Sequence, residues 1–472
     1  MKDRFKSPFV IVGAGPTGLG AAHMLERSGV HDWVLFERGD VVGGLSRSFL
    51  DDHGFTWDIG GHVAFSHYGL FTKVLDDLLG ASGWLHHARE SWIRVLNTWV
   101  PYPFQNNIHH LPPEVCARCL DGIISAAIDR QERSFRNFED FVRRTFGEGI
   151  AETFMLPYNR KVWAHDPARL DAGWIGERVS VPDAARVARN VVLQIDDVSW
   201  GPNNRFRFPL EGGTGAIWQA LAERLPTDHI IRNSEAVEID AQAKTITFAD
   251  GRRERYGTLI STMPLDRLVA MLHRKDWVEL ASGLLHSAVN VVGVGLKGTP
   301  SDPVKPKCWM YFPENTSPFH RVTHFSHYSP RNVDDIRVHW SLMAEVSESP
   351  EKPVDHGRLI SDTVGGMTVT GLIEGPEQVH HTWYHREEYG YPIPALGRDG
   401  IVLTLLPQLG ELDIFSRGRF GAWLYEVGNM DHSFMQGVEV VGHLLHGSPE
   451  LTVWNPHLVN QPHPVLGWNR FR

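Results

Sequence analysis

The sequence predicts an α/β protein in which a parallel-sheet domain is interleaved with a helical domain and an antiparallel β-sheet domain. Three observations carry this prediction. A short apolar strand, Phe9 to Val12, leads through a glycine-rich turn into an apolar helical pattern that ends at Arg27. Apolar residues recur at helical spacing within residues 112–165, and short strands dominate residues 286–385. The clearest of these strands is predicted from the alternation that runs from Ile336 to Val346, and Asp431 is expected to be the N-cap of the closing helix. No repeat or low-complexity linker separates these regions, so we expect interleaved domains rather than domains in series.

Composition excludes several classes of protein. The chain has 472 residues, a formal net charge of −10 and three cysteines. The acidic balance argues against a general nucleic-acid binder. No apolar run approaches the roughly 18 residues that a membrane span needs, and a strand that begins at Phe9 leaves no room for a signal peptide. Three cysteines are too few for a disulfide framework. The composition therefore favours a cytoplasmic enzyme.

The N-terminal turn has the pattern of a Rossmann-type dinucleotide-binding loop. Gly13, Gly15 and Gly18 form G-x-G-x-x-G between the first strand and the helix. A second strand, Trp33 to Phe36, ends at Glu37, about 20 residues further on, as this fingerprint requires. The glycines let the backbone approach a pyrophosphate, and the helix start favours its negative charge. Glu37 is placed to accept a hydrogen bond from a ribose hydroxyl.

Two further glycine turns follow shortly after the second strand. The segment DVVGGLSRSF carries the first turn, and GFTWDIGGHVAFSHY carries the second. Three close backbone approaches in so short a stretch predict one long ligand threaded along them, which favours FAD over NAD. The residues of these turns predicted to contact the cofactor are Gly43, Gly44, Ser46, Gly60 and Gly61.

Longer stretches are specific enough to indicate a family. GAGPTGLGAA, WDIGGHVAFSHY, VPYPFQNN, PYNRKVWA and RFGAWLYEVGN resemble the motifs of UDP-galactopyranose mutases of the eukaryotic-type branch, and their order along the chain fits. The resemblance runs from Phe9 to about Pro456. It implies a Rossmann-type FAD-binding domain at 1–83, 205–285 and 398–472, a helical substrate domain at 106–195, and an antiparallel sheet domain at 84–105, 196–204 and 286–397.

The resemblance implies an FAD-dependent isomerase that acts on a nucleotide-diphosphate sugar. In this family N5 of reduced FAD attacks the anomeric carbon, UDP departs, the sugar ring opens and recloses, and UDP returns. UDP-galactopyranose and UDP-galactofuranose thereby interconvert. NADPH or NADH is the implied reductant. The backbone of Gly60 and Gly61 then lies against the flavin edge, and His62 helps to set the response of this turn to flavin reduction.

The resemblance also assigns site residues. Arg178 and Arg321 match a pair that grips the diphosphate, because guanidinium forks suit phosphate. With them, the implied catalytic residues are His62, Tyr425 and Asn429. Further implied FAD contacts are Val237, Arg419 and Ser433. The implied substrate contacts are Arg89, Tyr102, Phe104, Gln105, Tyr158, Asn159, Trp163, Asn203, Trp309, Tyr311, Tyr328 and Tyr391, of which Tyr102, Phe104 and Gln105 match a platform for uracil.

Alternative functions remain open at this point. Ser199 and Met430 depart from the family pattern near the substrate end, so the same chemistry on another nucleotide sugar, such as a GDP-hexose, is a second hypothesis. A flavin oxidoreductase of the amine-oxidase type shares the N-terminal motifs and is a third. A non-catalytic FAD-binding protein is a fourth. The sequence indicates no oligomeric state.

Several motifs are set aside, and the sequence predicts no metal site. His381 and His385 lie on a predicted strand, where their spacing suits a metal poorly. Cys116 and Cys119 in CARC are expected to lie in the core of a helix, and HHLPP to be a loop that leads into that helix. Residues 176–182 and 199–204 are expected to close over the substrate during turnover.

Overall fold

The structure is a computed structural model that describes residues 9–129, 134–175, 179–198, 201 and 204–459. Arg178 and Asn203 therefore lie outside the described residues, as do parts of the two segments expected to close over the substrate. The described strands are β1 (Phe9–Val12), β2 (Trp33–Phe36), β3 (Ser48–Leu50), β4 (Thr56–Asp58), β5 (Trp84–Ala88), β6 (Ser91–Val95), β7 (Thr98–Pro101), β8 (Arg205–Pro209), β9 (Ile230–Ile231), β10 (Ala236–Asp240), β11 (Thr245–Phe248), β12 (Arg253–Arg255), β13 (Thr258–Ser261), β14 (His286–Lys297), β15 (Trp309–Tyr311), β16 (Arg321–His324), β17 (His339–Glu348), β18 (Val379–Pro392) and β19 (Ile414–Ser416).

Helices are distributed along the whole described chain. They are α1 (Pro16–Arg27), α2 (Gly69–Leu79), α3 (Pro113–Ile128), α4 (Phe138–Ile150), α5 (Leu156–Trp163), α6 (Ala184–Leu193), α7 (Gly215–Glu223), α8 (Leu265–Met271), α9 (Lys275–Ala281), α10 (Phe325–Tyr328), α11 (Leu359–Val369), α12 (Arg398–Gly410), α13 (Met430–His446), α14 (Leu451–Trp454) and α15 (Pro456–Val459). Among the residues that the structure describes, no helix has the length and apolarity needed to cross a membrane.

A five-stranded parallel sheet, in the order β19-β13-β1-β2-β9, forms the frame of the cofactor part. All four residues of β1 are buried, as expected for a strand with helices on both faces. Helix α1 starts at Pro16 directly after Gly15, so the glycine turn meets a helix N-terminus. The predicted α/β fold with a Rossmann-type domain is confirmed.

Helix α13 packs against α1 through glycines. A Cβ atom at Gly437 would lie 2.0 Å from the Thr17 carbonyl oxygen, and one at Gly20 would lie 2.4 Å from the Phe434 carbonyl oxygen. The two helices therefore approach with their backbones in contact. As a result, the N-termini of α1 and α13 open on the same cavity.

A seven-stranded sheet, in the order β18-β14-β17-β16-β15-β6-β7, forms the second large layer. Its pairs are antiparallel except for β15 and β6, which run parallel. The predicted antiparallel sheet is therefore confirmed with one parallel pair. Strand β5, assigned by sequence to the sheet domain, pairs instead with β8, which the same division assigns to the FAD domain. The domain bounds stay a prediction.

Helices α3, α4, α5 and α6 share a hydrophobic core with the segment that follows β7. The helical predictions for residues 112–165 are confirmed by α3, α4 and α5, with a π-helical turn at Ala151–Met155 between the last two. Cys116 and Cys119 are buried free thiols in this core, and burial raises the pKa of Cys119 to about 11. A buried thiol with a raised pKa is a packing residue, as the sequence predicted.

Two local predictions were wrong. The alternation starting at Ile336 begins before the strand does: β17 starts at His339, and Ile336 and Val338 are 43% and 50% exposed. The Asp335 carbonyl accepts from the backbone N–H groups of Val338 and His339, which makes this stretch a turn. Helix α13 was expected to have Asp431 as its N-cap, but the N-cap position is Asn429.

Candidate active site

At Gly13 and Gly18 the first glycine turn packs too closely against neighbouring backbone and side-chain atoms to hold a residue with a Cβ. Gly13 has a φ of +98°, and a Cβ there would lie 2.1 Å from Thr262 Oγ1. At Gly18 a Cβ would lie 1.9 Å from the Gly13 carbonyl oxygen, so this glycine permits packing of helix on strand. The Glu37 carboxylate accepts from the backbone N–H groups of Ala14 and Gly39 over 2.7 and 2.8 Å. Glu37 is thereby fixed at the end of β2, facing the cavity.

The second glycine turn packs directly on the first. Gly43 and Gly44 have φ values of +111° and +54°, and a Cβ at Gly44 would lie 3.1 Å from Gly15 Cα. A 3₁₀ turn at Gly44–Ser46 follows, and Arg47 then forms an ion pair with Glu387 of β18. This ion pair links the glycine turns to the large sheet at the cavity wall.

One cavity of about 630 Å³ joins these turns to the remaining predicted site. The predicted residues that line it are Gly13, Gly15, Glu37, Gly44, Ser46, Gly61, His62, Tyr102, Trp309, Tyr311, Arg321, Tyr391, Arg419, Tyr425, Asn429 and Ser433. The starts of α1 and α13 both contribute to its wall, which favours an anionic ligand such as a pyrophosphate. The structure thus brings together most of the described residues that the sequence singled out.

The third glycine turn requires glycine at Gly61, because protein atoms fill the space that a side chain would occupy. A Cβ at Gly61 would lie 2.6 Å from Thr323 Oγ1 and 2.7 Å from Trp309 Nε1. Burial lowers the pKa of the neighbouring His62 to about 4, so its ring is neutral at pH 7. The buried His62 Nδ1 and Trp309 Nε1 atoms have no hydrogen-bond partner among the described residues. Unsatisfied buried polar atoms beside a cavity are groups that a ligand can satisfy.

Glu345 is a site residue that the sequence analysis missed. Arg321 Nε and Nη2 donate to its two carboxylate oxygens over 2.7 and 2.8 Å. The Gly61 N–H donates to the same carboxylate over 3.1 Å, and the Tyr391 hydroxyl over 3.3 Å. Burial alone would raise the pKa of Glu345, but Arg321 lowers it to about 2. Burial alone would lower the pKa of Arg321, but the charge of Glu345 raises it well above its usual range. Both side chains of the pair are therefore ionised.

A signal for Glu345 was present in the sequence. It stands in the middle of WSLMAEVSE, a strand whose other side chains are mostly buried. A carboxylate at such a position requires a partner, since burial of an unpaired charge is costly. Strand β16 supplies that partner, because Arg321 lies directly across from Glu345 in the sheet register.

Half-buried tyrosines surround Arg321 on the cavity wall. Tyr102 and Tyr311 have ring centroids 5.9 Å apart, and Tyr391 and Tyr425 have centroids 6.3 Å apart. The Arg419 guanidinium lies over the rings of Tyr391 and Tyr425, at 5.3 and 5.5 Å. Burial raises the pKa of Tyr102 and of Tyr391, which keeps both hydroxyls protonated and able to donate.

Several predicted substrate residues do not line this cavity. Phe104 is fully buried and stacks on Phe154 with centroids 4.7 Å apart, so its role in a base platform is not supported by the described structure. Gln105 donates to the Ser180 carbonyl oxygen instead of facing the cavity. Asn159 Oδ1 accepts from Trp163 Nε1, which packs these two residues into the helical core.

Four other predicted residues lie at or behind the wall. Tyr158 stacks on Phe154, and Tyr328 packs edge-on against Trp309 with centroids 6.0 Å apart. Arg89 has its guanidinium 5.0 Å from the Tyr102 ring centroid. Val237 is 45% exposed, whereas the preceding residues Ser234 to Ala236 line the cavity. Met430, which departs from the family pattern, also lines it.

Comparison with known proteins first defines a class. Residues 16–316 match the family of flavin containing amine oxidoreductases. A putrescine oxidase bound to putrescine shares the fold at 16% identity, with a TM-score of 0.64 over 93% of this chain and 99% of that chain. A CLA-producing fatty acid isomerase from P. acnes shares it at 16% identity, with a TM-score of 0.64 over the same fractions. The chain is a flavoprotein of this fold class.

Another likeness is much stronger. A crystal structure of reduced UDP-galactopyranose mutase is 49% identical and covers 97% of this chain and 99% of that chain, with a TM-score of 0.93. The chain belongs to the UDP-galactopyranose mutase family. The resemblance found in the sequence is confirmed at this level, while the eukaryotic-type branch stays a prediction.

The residues around the cavity fit FAD. Gly13, Gly15 and Gly44 line the cavity without side chains, and the starts of α1 and α13 line it as well, which suits a pyrophosphate. Glu37 is placed for a ribose hydroxyl, as in other dinucleotide sites. The unpaired Nδ1 of His62 lies beside the third glycine turn. FAD is therefore the cofactor that this donor set and the family both support.

Proposed function

We propose that the chain is a UDP-galactopyranose mutase of the eukaryotic type, which interconverts UDP-galactopyranose and UDP-galactofuranose. The observation that carries the proposal is the position of Arg321. Its guanidinium lies on the wall of the FAD cavity, 24% exposed and paired with Glu345, which also accepts from the Gly61 N–H. A cation placed beside the glycine turn suits a substrate that carries a diphosphate next to its reacting carbon.

When bound and reduced, FAD supplies the nucleophilic nitrogen, N5, for attack at the anomeric carbon. The residues of the chain hold the substrate and its leaving group. Arg321 stabilises the diphosphate as negative charge develops on departing UDP, and the hydroxyls of Tyr311, Tyr391 and Tyr425 donate to the same region. Neutral His62 can act as donor or acceptor. Arg178 and Asn203 keep their proposed roles.

The proposal also covers the nucleotide and sugar of the substrate, the reductant of the flavin and the cellular location. Tyr102 lines the cavity and supports stacking of uracil, whereas Phe104 and Gln105 do not reach it in this structure. Met430 lines the same cavity at a position that departs from the family pattern, which keeps a GDP-hexose as the alternative substrate. We expect NADPH or NADH to reduce the flavin. A cytoplasmic location is consistent with three free, buried cysteines.

The test is turnover by chemically reduced enzyme. Dithionite-reduced protein is incubated without oxygen with UDP-galactofuranose or UDP-galactopyranose, and the products are separated by chromatography. We expect interconversion by the reduced protein and none by the oxidised protein. Equal turnover in both flavin states would exclude the proposed nucleophile.

The same assay separates the competing functions. Turnover of GDP-sugars with no turnover of UDP-sugars would keep the chemistry and change the nucleotide. Oxygen consumption with an amine, without isomerisation of any nucleotide sugar, would instead identify an oxidase. The matched control is Arg331→Ala, which removes a 66% exposed arginine outside the cavity and should leave every rate unchanged.

A further inference from the structure

Two histidines set aside in the sequence analysis converge on one carboxylate in the structure. His109 Nε2 lies 3.0 Å and His110 Nε2 lies 2.7 Å from the same oxygen, Oδ1 of Asp196. The three donor atoms all lie within 4.8 Å of one another. His109 and His110 end the short turn before α3, whereas Asp196 follows α6, so that two distant segments supply the donors.

We propose that His109, His110 and Asp196 form a binding site for a divalent transition-metal ion of the Zn²⁺ class. In a tetrahedral site, donor atoms about 2.1 Å from a common zinc ion lie roughly 3.4 Å apart, so the 3.0 and 2.7 Å distances would have to open by about 0.4 and 0.7 Å when the ion binds. Two imidazoles and one carboxylate are ligands that Zn²⁺ accepts in proteins, with water at the remaining position.

Both segments that supply the ligands are already fixed in position. Asn107 Nδ2 donates to the carbonyl oxygen of Pro103 over 3.0 Å. Asn107 also binds the Asp197 backbone on both sides, accepting from its N–H over 2.7 Å and donating to its carbonyl over 3.0 Å. Asp196 is therefore held opposite the two histidines by its neighbour, and a metal ion would find its ligands preorganised.

The site is also accessible to a metal ion. The Asp196 side chain is 49% exposed and borders a second cavity of about 510 Å³, which gives a hydrated ion an approach. Asp197, the next acid along, is paired with Arg186 and is not available as a competing ligand.

A second histidine cluster, His53, His380 and His381, is less suited to a metal. The rings of His53 and His381 stack at 24° with centroids 4.2 Å apart, which directs their nitrogens side by side. His381 Nε2 lies 2.8 Å from Asp51 Oδ2, an oxygen that also accepts from Trp57 Nε1. This second cluster therefore serves as the internal control.

The experiment measures metal binding by tag-free protein freed of metal with EDTA. Zn²⁺ is titrated in competition with a chromophoric chelator, and Co²⁺ is used as a visible-absorption probe of the ligand field. We expect one equivalent of Zn²⁺ per chain. The substitutions His110→Gln and Asp196→Asn should each weaken binding at least tenfold, whereas His53→Ala should leave it unchanged. His109→Ala is a further test, but it alters a nearly buried side chain.

Both conservative variants change partly exposed side chains, and circular dichroism of the metal-free proteins checks that each folds. Zn²⁺ should also raise the thermal midpoint of the wild-type protein and not that of Asp196→Asn. If the two histidines only form hydrogen bonds to Asp196, the Zn²⁺ titration will show no saturable binding. That outcome would overturn the proposal. Loss of binding in His53→Ala alone would overturn it as well. These readouts do not involve nucleotide sugars, so their outcome is independent of the proposed function.

Discussion

The first prediction concerns Arg321, whose guanidinium is paired with the Glu345 carboxylate in the structure. A charge-assisted contact to a phosphate is worth about 1.5–3 kcal/mol, so Arg321→Ala should lower kcat/KM for the nucleotide sugar at least about tenfold. The variant also leaves Glu345 buried without its partner, which is destabilising. The steady-state kinetics of the reduced enzyme and the thermal midpoint are therefore measured together.

A double variant separates the two effects of Arg321→Ala. Arg321→Ala combined with Glu345→Gln removes the unpaired charge, so the thermal midpoint should recover while the kinetic loss remains. Wild-type kinetics in Arg321→Ala would show that this arginine does not hold the diphosphate.

The second prediction is that a substitution of Glu345 strengthens UDP binding, whereas the substitution of Arg321 weakens the contact to the diphosphate. Glu345→Gln keeps an acceptor for the Gly61 N–H but removes the negative charge that neutralises Arg321. UDP should then bind more tightly, because the guanidinium no longer shares its charge with Glu345, while kcat falls because the guanidinium loses its fixed position. Calorimetric titration with UDP and turnover assays measure the two quantities. Weaker UDP binding in this variant would mean that Glu345 acts on the substrate by another route.

These two residues show the limit of sequence reasoning at this scale. Arg321 could be predicted because a family motif surrounds it, and the structure places it on the cavity. Glu345 could not be assigned a role, because its partner depends on the register between β16 and β17. Phe104 was assigned to a base platform from its motif, yet its side chain packs against Phe154, a contact that no local pattern specifies.

At the scale of elements, the contact between α1 and α13 carries the third prediction. Gly437→Ala would place a methyl group 2.0 Å from the Thr17 carbonyl oxygen, so the helices must separate. Overpacking of this kind costs about 1–3 kcal/mol. Because both helix starts line the cofactor cavity, the variant should lose FAD more readily as well as melt earlier. Thermal midpoint and flavin release, followed by fluorescence, test this.

A matched glycine provides the control. Gly400 also lies within a helix, α12, but it is exposed and has no atom within 4 Å of a built Cβ. Gly400→Ala should therefore stabilise the protein by about 0.5–1 kcal/mol, through backbone entropy alone. Equal effects at the two positions would contradict the close approach of α1 and α13.

Elements were predictable where a local signal dominates. The strand, glycine turn and helix at the N-terminus follow from hydrophobic periodicity and glycine spacing, and the structure has the same bounds. The start of β17 was misplaced because side-chain alternation continues through the Asp335 turn, where the backbone hydrogen bonds, not the pattern, end the strand. The pairing of β5 with β8 joins segments far apart in the sequence, so periodicity carries no information about it.

At the scale of the whole molecule, the fold places two large sheets around one cavity. Several titratable side chains are buried in this fold, and burial changes their pKa. Burial lowers the pKa of His23 and His62 to about 4 and that of His320 and His324 to about 3. An unfolded chain takes up protons on these four residues near pH 6.5, whereas the folded chain does not. Their contribution to stability therefore falls as the pH drops from 6.5 towards 4.

Two buried carboxyl groups act in the opposite direction. Burial raises the pKa of Asp58 and of Glu439 to about 7, so the folded state keeps protons that the unfolded state releases above about pH 4.5. These two groups favour the folded state as the pH drops. Counting these six groups alone, the unfolded state binds nearly two more protons around pH 5.5, and the lowered pKa values of His87 and His327 add to this difference. Each such proton corresponds to about 1.4 kcal/mol per pH unit.

The fourth prediction is therefore that the protein loses stability on acidification from pH 6.5 to pH 5. Two variants should change the slope of the thermal midpoint against pH, in opposite directions. His23→Asn removes one histidine and should make the pH dependence shallower, whereas Asp58→Asn removes an opposing carboxyl and should make it steeper. Thermal midpoints at pH 6.5, 6.0, 5.5 and 5.0, at constant ionic strength, give the slopes. A midpoint that stays constant or rises over this range would contradict the prediction, because it would mean that these histidines are already charged in the folded protein.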